Sequence, residues 1–284
     1  MQITNEYGLP QQMVELCSQD YIYEPGEYRV TSLLKGIKET LLLRRHSDEI
    51  VVDVSEMVWL LFGSAVHHIL EKQNLADSEL GEERLKVRFG DYILSGQFDL
   101  YCAETNMITD YKTASVWKIV FGDYKDWKQQ QLIYAYMLRD AGFDVDRGRV
   151  WAFLKDHRKS EARKSSDYPR RPVAKVDFDL SGDAGEWIKN KFEEIRVCEL
   201  LEDDAIPTCT EEERWYTGTT YAVMKKGRKS ALRVLKSMED AELWMEANGK
   251  GEYIEERAGM DNKCVEYCWA APFCNYWRET YGDQ

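Results

Sequence analysis

Residues 95–113 read SGQFDLYCAETNMITDYKT, two runs with strand character separated by the turn-prone Ala-Glu-Thr-Asn stretch at 103–106. Side chains alternate faces along a strand, so Asp110 and Lys112, two apart, point the same way. A carboxylate is thereby set beside an ammonium. On the preceding run Asp99 shares a polar stripe with Ser95 and Gln97, while Leu94, Phe98 and Leu100 occupy the opposite, apolar face. Pairing of the two runs brings Asp99 and Asp110 together, and their repulsion is relieved when a cation bridges them. A hard divalent ion suits such a pair, and Lys112 stands ready to orient or activate a nucleophile.

The pattern extends outward in both directions. Arg84 to Phe89 makes a third short strand, and with Tyr92–Cys102 and Met107–Lys112 it forms an expected antiparallel meander. Leucines at helical spacing predict a first helix over Thr31–His46, and Trp59, Leu60, Gly63, Val66, His67 and Leu70 a second over Ser55–Gln73. After the meander, Asp126 to Leu138 is helical and Gly148–Leu154 (GRVWAFL) reads as a buried strand, an arrangement that lets a crossover helix return the chain to the sheet. The polar, basic stretch from about 157 to 172 is an expected excursion from that sheet, because Val173–Leu180 again alternates. A helix from about Asp183 to Leu201 closes the main domain, and Pro207 breaks the chain after it.

The helix before the meander carries His67 and Glu71 four residues apart on one face; the helix after it stacks Gln130, Tyr134 and Leu138 in the same way. The ordered series Gly63-xxx-His67-xxx-Glu71, Gly96-xx-Asp99, Asp110-x-Lys112 and Gln130-xxx-Tyr134-xxx-Leu138 resembles the RecB-like branch of the PD-(D/E)XK nucleases, and among them the phage-encoded exonucleases. It covers about Thr31 to Leu154. The resemblance implies an α/β fold, with a restriction-endonuclease-like core over 1–204 whose mixed central sheet is flanked by helices. It implies a divalent-metal-dependent deoxyribonuclease that hydrolyses phosphodiester bonds to 5′-phosphate products with Mg²⁺ or Mn²⁺, most naturally an exonuclease in recombination or end processing. By it His67, Asp99 and Asp110 are metal ligands, Lys112 is the catalytic lysine, Glu71 belongs to the same motif, and Gln130 and Tyr134 contact DNA or support the site. The second acid is Asp110 rather than the commoner Glu. His68, turned about 100° around the helix from His67, is read as structural.

The tail over 205–284 reads as a small C-terminal module with a basic hairpin over Thr219–Lys229, a helix near Glu239–Ala247 and a cysteine cluster. Cys264-xxx-Cys268-xxxxx-Cys274 can place three thiolates on one metal or cluster. Cys209 is the nearest fourth ligand and Cys17 its rival. Some RecB-like nucleases carry a four-cysteine iron–sulfur staple, which implies a [4Fe–4S] cluster here; Zn²⁺ is the alternative, because the spacing is Cys-x3-Cys where that family shows Cys-x2-Cys. Trp269, Phe273, Tyr276 and Trp277 are read as packing over the centre. Cys102 and Cys198, in apolar surroundings, are read as core residues.

Of the 284 residues 44% are hydrophobic, enough for one substantial core, and the formal net charge is −13. Such a balance opposes nonspecific attraction to a polyanion, but screening confines the objection to about 8–10 Å, so basic patches act locally. Arg158, Lys159, Arg170 and Arg171 belong to one patch and Lys225, Lys226, Arg228 and Lys229 to the other; both are expected to meet DNA. Seven cysteines without an export signal or a long apolar run place the chain in the cytoplasm, away from membranes, with its thiols reduced. The resemblance adds a phage recombination or annealing protein as an expected partner. A competing expectation is a catalytically inactive nucleic-acid-binding module that keeps the fold.

Overall fold

The computed structural model describes residues 1–18, 24–72, 75–81 and 83–282, the side chain of Glu71 excepted. In chain order, β1 (Gln2–Thr4) and α1 (Gln11–Cys17) precede β2 (Glu27–Arg29), α2 (Val30–Leu33) and α3 (Ile37–Arg45). β3 (Val51–Asp53) leads through a 3₁₀ turn into α4 (Val58–Glu71). The strands β4 (Glu79–Gly81), β5 (Arg84–Phe89), β6 (Tyr92–Gln97), β7 (Leu100–Cys102) and β8 (Met107–Ala114) follow, then α5 (Val116–Phe121), α6 (Lys125–Asp140) and β9 (Arg147–Leu154). α7 (Lys159–Lys164), β10 (Val173–Asp179) and α8 (Gly185–Cys198) complete the larger part. The tail holds α9 (Glu211–Arg214), β11 (Thr220–Met224), β12 (Arg233–Leu235), α10 (Met238–Asn248), β13 (Tyr253–Arg257), α11 (Asn262–Glu266) and α12 (Asn275–Tyr281).

The architecture is mixed α/β. A five-stranded sheet has the order β10-β9-β8-β7-β4, with β8 and β9 parallel and the other neighbours antiparallel. The parallel step is the one bridged by α6, as the crossover reading expects. β9 alternates strictly, with Gly148, Val150, Ala152 and Leu154 buried, because α6 covers one face while Arg149 and Trp151 turn away. Ile133, Met137 and Leu138 of α6, Ile188, Phe192 and Ile195 of α8, and Tyr101 and Ile108 of the sheet close the main core. Fully burying side chains of this kind contributes roughly 1.5–3 kcal/mol each. A second cluster joins Val116, Trp127, Val150 and Leu154 to Ala162 and Tyr168.

Three expectations are corrected. The meander is not one sheet: Tyr92–Cys102 breaks at Phe98 and Asp99, β6 pairs with β5 and β2 in a separate three-stranded sheet, and only β7 continues beside β8. The first helix is interrupted between Leu33 and Ile37, where a Cβ on Gly36 would come within 2.5 Å of Cys209 Sγ. The tail packs there so closely that only glycine fits. The basic stretch leaves the sheet between β9 and β10 and is mostly exposed, as expected, and it carries bonds of its own: Arg170 donates to Ala162 O, the Arg158 amide to Tyr168 OH at 2.8 Å, and His157 Nε2 lies 2.8 Å from Pro169 O. The helix expected over Ser55–Gln73 starts at Val58; its expected end at Gln73 lies outside the described residues.

Candidate active site and cysteine cavity

The break at Phe98–Asp99 aims the first carboxylate. Phe98 plunges into the core, and Asp99, released from the ladder, accepts the Tyr111 amide at 2.6 Å on Oδ2. Its Oδ1 lies 3.2 Å from His67 Nδ1 on α4. On β8, Ile108, Asp110 and Lys112 share one face, apolar at one end and charged at the other. Lys112 Nζ donates to Asp110 Oδ1 at 3.1 Å and stands 2.9 Å from Oδ2, yet the buried Oδ2 receives no well-aligned hydrogen bond. Asp110 is only 3% exposed. Burial pushes its carboxyl up to about 6, with Lys112 opposing and the Asp99 charge adding to the rise. Bonding to Asp99 raises His67 against the effect of its burial. For Lys112 burial lowers the pKa, but the Asp110 charge and hydrogen bond outweigh it and the net shift is upward.

α6 brings the last motif to the same place. Gln130 and Tyr134 are buried, with Gln130 Nε2 3.5 Å from the Tyr134 hydroxyl, and burial holds that phenol up at about 12. The Tyr134 ring packs on Gly96, where a Cβ would lie 2.6 Å from its Cε1 and 2.8 Å from Val30 Cγ2. Glycine at 96 is therefore what lets the ring brace the strand that delivers Asp99. His67, Asp99 and Tyr134 line a cleft of about 970 Å³ that also exposes Trp59, Arg29 and Arg84. Neither the Trp59 side chain nor either arginine was singled out from the sequence, where they lie outside the spaced motifs.

A second centre forms in the tail. Cys209, Cys264, Cys268 and Cys274 line one cavity of about 30 Å³, together with Lys38, Arg214 and Trp277. Cys17 packs elsewhere, against a cluster of Ile50, Val52 and Met57. Burial pushes Cys264 and Cys268 up to about 12, with neighbouring thiols adding to the rise at Cys264 and Glu39 and Cys209 at Cys268. Lys38 is buried on α3 and ties the tail to the core through Ile206 O at 2.8 Å and Asn275 Oδ1 at 2.7 Å. Asp261, also buried, accepts from Arg214 Nε at 3.0 Å, Tyr276 OH at 2.7 Å and Tyr281 OH at 3.0 Å. Tyr216 bridges back to Asp261, so the small sheet β12-β11-β13 leaves and re-enters the chain between Cys209 and Cys264 at one clamped point. Lys38 and Asp261 escaped sequence reading because lone charges look like surface. Of the basic residues, Lys225, Lys226, Arg228 and Lys229 lie exposed in the β11–β12 connection, and Arg158, Lys159, Arg170 and Arg171 are exposed around α7.

Both centres can be tested for fit to a metal. Among the described residues no three His, Cys, Asp or Glu side chains stand close enough to cage one ion. For Mg²⁺ that is the usual situation, since it is held by one or two carboxylates with substrate phosphate and water completing the shell. Asp110 Oδ2, 2.9 Å from the Lys112 ammonium, is the oxygen such an ion would share with that lysine. The thiols surround a void instead of meeting at a point, and the buried Trp277 Nε1, which has no acceptor among the described residues, lies on the side chain that lines it. An orphaned N–H beside sulfur ligands fits a polynuclear cluster whose sulfurs accept hydrogen bonds.

No protein-family model and no curated protein matches the chain. Among solved structures, SSO0001 is similar at 15% identity over 66% of this chain and 82% of its own, with a TM-score of 0.47. A phage-related exonuclease from Haemophilus somnus 129PT is similar at 13% identity over 66% of this chain and 74% of its own, with a TM-score of 0.28. At these scores the functional reading rests on the site itself. Among the described residues no helix is long and apolar enough to cross a membrane.

Proposed function

We propose that this chain is a divalent-metal-dependent deoxyribonuclease of the RecB-like PD-(D/E)XK type, acting as an exonuclease on DNA ends. The observation that carries the reading is the convergence of two acids, a lysine and a histidine: Asp110 is buried with Lys112 Nζ 2.9 Å from its Oδ2, Asp99 stands 3.2 Å from His67, and the Asp99 charge acts on Asp110. Two carboxylates brought together where burial is high repel each other, and a bound cation removes that cost. Bound there, Mg²⁺ or Mn²⁺ supplies Lewis-acid polarisation of the phosphate and neutralises charge on the leaving oxygen. The chain's own contributions are distinct. Asp99 and Asp110 hold the cation, and His67 shares Asp99 with it. Lys112 Nζ keeps a positive charge beside Asp110, where it orients the attacking water and faces the developing charge. Gln130 and Tyr134 hold the β6–β7 break in place from behind.

Cys209, Cys264, Cys268 and Cys274 hold a [4Fe–4S] cluster in preference to Zn²⁺, because a cluster's own sulfurs would add an acceptor for the buried Trp277 N–H beside them. Its role is to staple the tail to α3. The two basic patches are the DNA contacts. The reading is tested by digesting end-labelled linear DNA with Mg²⁺, Mn²⁺ or EDTA, using anaerobically purified protein whose iron, sulfide and zinc are measured. Metal-dependent loss of DNA with about four irons per chain is the expected result. A folded, metal-replete protein that leaves DNA intact would overturn the nuclease assignment.

A further inference from the structure

The helix that carries His67 has an apolar side that the fold leaves exposed. From Val58 to Leu70, α4 contains no acid, lysine or arginine, in a chain of which 31% is charged, and none of those side chains is buried. A helix apolar on every side belongs inside a core, so an exposed one is built to be covered. Trp59, Phe62, Val66 and Ile69 recur at spacings of three, four and three, the seam that one helix offers to another. Trp59 is 60% exposed, Phe62 44% and Ile69 63%, and the Trp59 and Phe62 rings meet edge to face with centroids 6.4 Å apart. The seam is not the side turned to the sheet. A Cβ on Gly63 would lie 3.4 Å from Thr113 Oγ1 of β8, and His67 projects about 120° around the helix from the seam.

We propose that the stripe of Trp59, Phe62, Val66 and Ile69 is an interface between two copies of this chain, α4 packing against α4 about a twofold axis. Charge selects the occupant. Two copies that each carry a formal −13 repel wherever their acids face each other, and along this stripe they approach without setting carboxylate against carboxylate. A partner recruited by its charge would find nothing on the helix itself to pair with. Lys155, whose Nζ lies 4.3 Å over the Trp59 ring, keeps its ammonium at the rim. A twofold pairing also suits a single stripe, because each copy presents the same residues to the other. The stripe leaves about 400 Å² of apolar area in water, the size of the largest patch on an ordinary monomer. Pairing removes about 800 Å² in all, less than a permanent dimer buries, so the contact is weak and reversible. This assembly goes beyond the nuclease reading and does not rest on it, since the stripe would pair copies of an inactive chain as well.

Sedimentation velocity of the anaerobically purified chain, at concentrations from about 1 to about 100 μM, tests the pairing. The proteins are wild type, Ile69→Glu, Phe62→Glu and, as a control outside the helix, Leu200→Glu, whose leucine is 83% exposed. Wild type is expected to pass from monomer to dimer near about 10 μM. Each α4 variant should weaken that association by about tenfold or more. Its melting should be unchanged, because the replaced side chain faces water in the monomer; Ile69→Glu decides the matter if Phe62→Glu melts early. Leu200→Glu should associate as wild type does. Raising salt from about 50 to about 500 mM should strengthen the dimer, since it screens the repulsion between copies, whereas a dimer held by ion pairs would weaken. A wild type that stays monomeric throughout overturns the interface. Association that survives both α4 substitutions, or that Leu200→Glu weakens equally, overturns it too. So does loss of affinity for a fluorescein-labelled dT12 in the α4 variants without any change in mass, which would give the stripe to nucleic acid. The readout is mass and not cleavage, so failure of the nuclease assignment leaves the result standing.

Discussion

The carboxylate cleft and the cysteine cavity are opposite solutions to placing charge inside a protein. The cleft is open, about 970 Å³, and Asp99, which lines it, belongs with Asp110 and Lys112 to one short stretch folded back on itself. The cavity is small, about 30 Å³, and gathers residues from Lys38 to Trp277. In the cleft, function requires access, and the cost of a buried carboxylate is met by Lys112 beside it. In the cavity nothing needs to enter, and the cost of buried thiols falls only when a metal centre takes their protons. The first centre should therefore respond to mutation in rate and the second in stability.

Asp110→Ala offers the sharpest break. Cleavage should fall by about a thousandfold or more, roughly 4 kcal/mol of transition-state stabilisation, while circular dichroism and melting stay close to wild type. A variant that still cuts at the wild-type rate would take Asp110 out of the site. Cys268→Ser should do the reverse, removing the iron and sulfide and lowering the melting temperature by about 10 °C, an effect of several kcal/mol. Trp277→Phe refines it, keeping the iron but moving the cluster's midpoint potential to a more negative value as one N–H···S bond is lost. An unchanged potential would send the indole back to plain packing.

Removing charge from the β11–β12 turn is expected to act more gently. Lys226→Ala with Arg228→Ala should reduce the slope of log affinity against log salt for duplex DNA by about two, read from a salt titration, without altering the metal requirement. The smallest effect belongs to His46, which stacks on Phe273 with centroids 4.0 Å apart and bonds to Asp203 and Glu49 at 2.6 and 2.7 Å. Burial alone would lower its pKa, but those two acids outweigh it and the folded value is raised. Its contribution to stability is complete below the unfolded pKa of about 6.5 and fades as pH rises through the folded value. His46→Gln should flatten the melting temperature against pH across that window by about a degree or two. A profile identical to wild type would show that this contact does not hold the tail.

What could be read from residue order was whatever depends on neighbours in the chain. The two-residue spacing of Asp110 and Lys112, the helical spacing of Gln130 and Tyr134, and the alternation of Arg147–Leu154 each appear in the structure on the expected element, since strand and helix periods act over a single turn or pleat. The break at Phe98–Asp99 was not legible, because the alternation of Leu94, Phe98 and Leu100 runs through it unbroken. It exists because β6 and β7 belong to different sheets, a decision made by β2, β5 and β8. Gly36 looked like an ordinary small residue until Cys209 was seen against it, and the steric need for Gly96, a motif residue, became visible only with the Tyr134 ring packed on it. The choice between Cys209 and Cys17 was equally beyond spacing, since both are distant in sequence from Cys264 and only the packing of the tail on α3 brings one of them to the cavity. Local periodicity thus determined which residues could carry the chemistry, and tertiary packing decided which of them meet, because desolvation and close approach are properties of surfaces that come together only when the chain is folded.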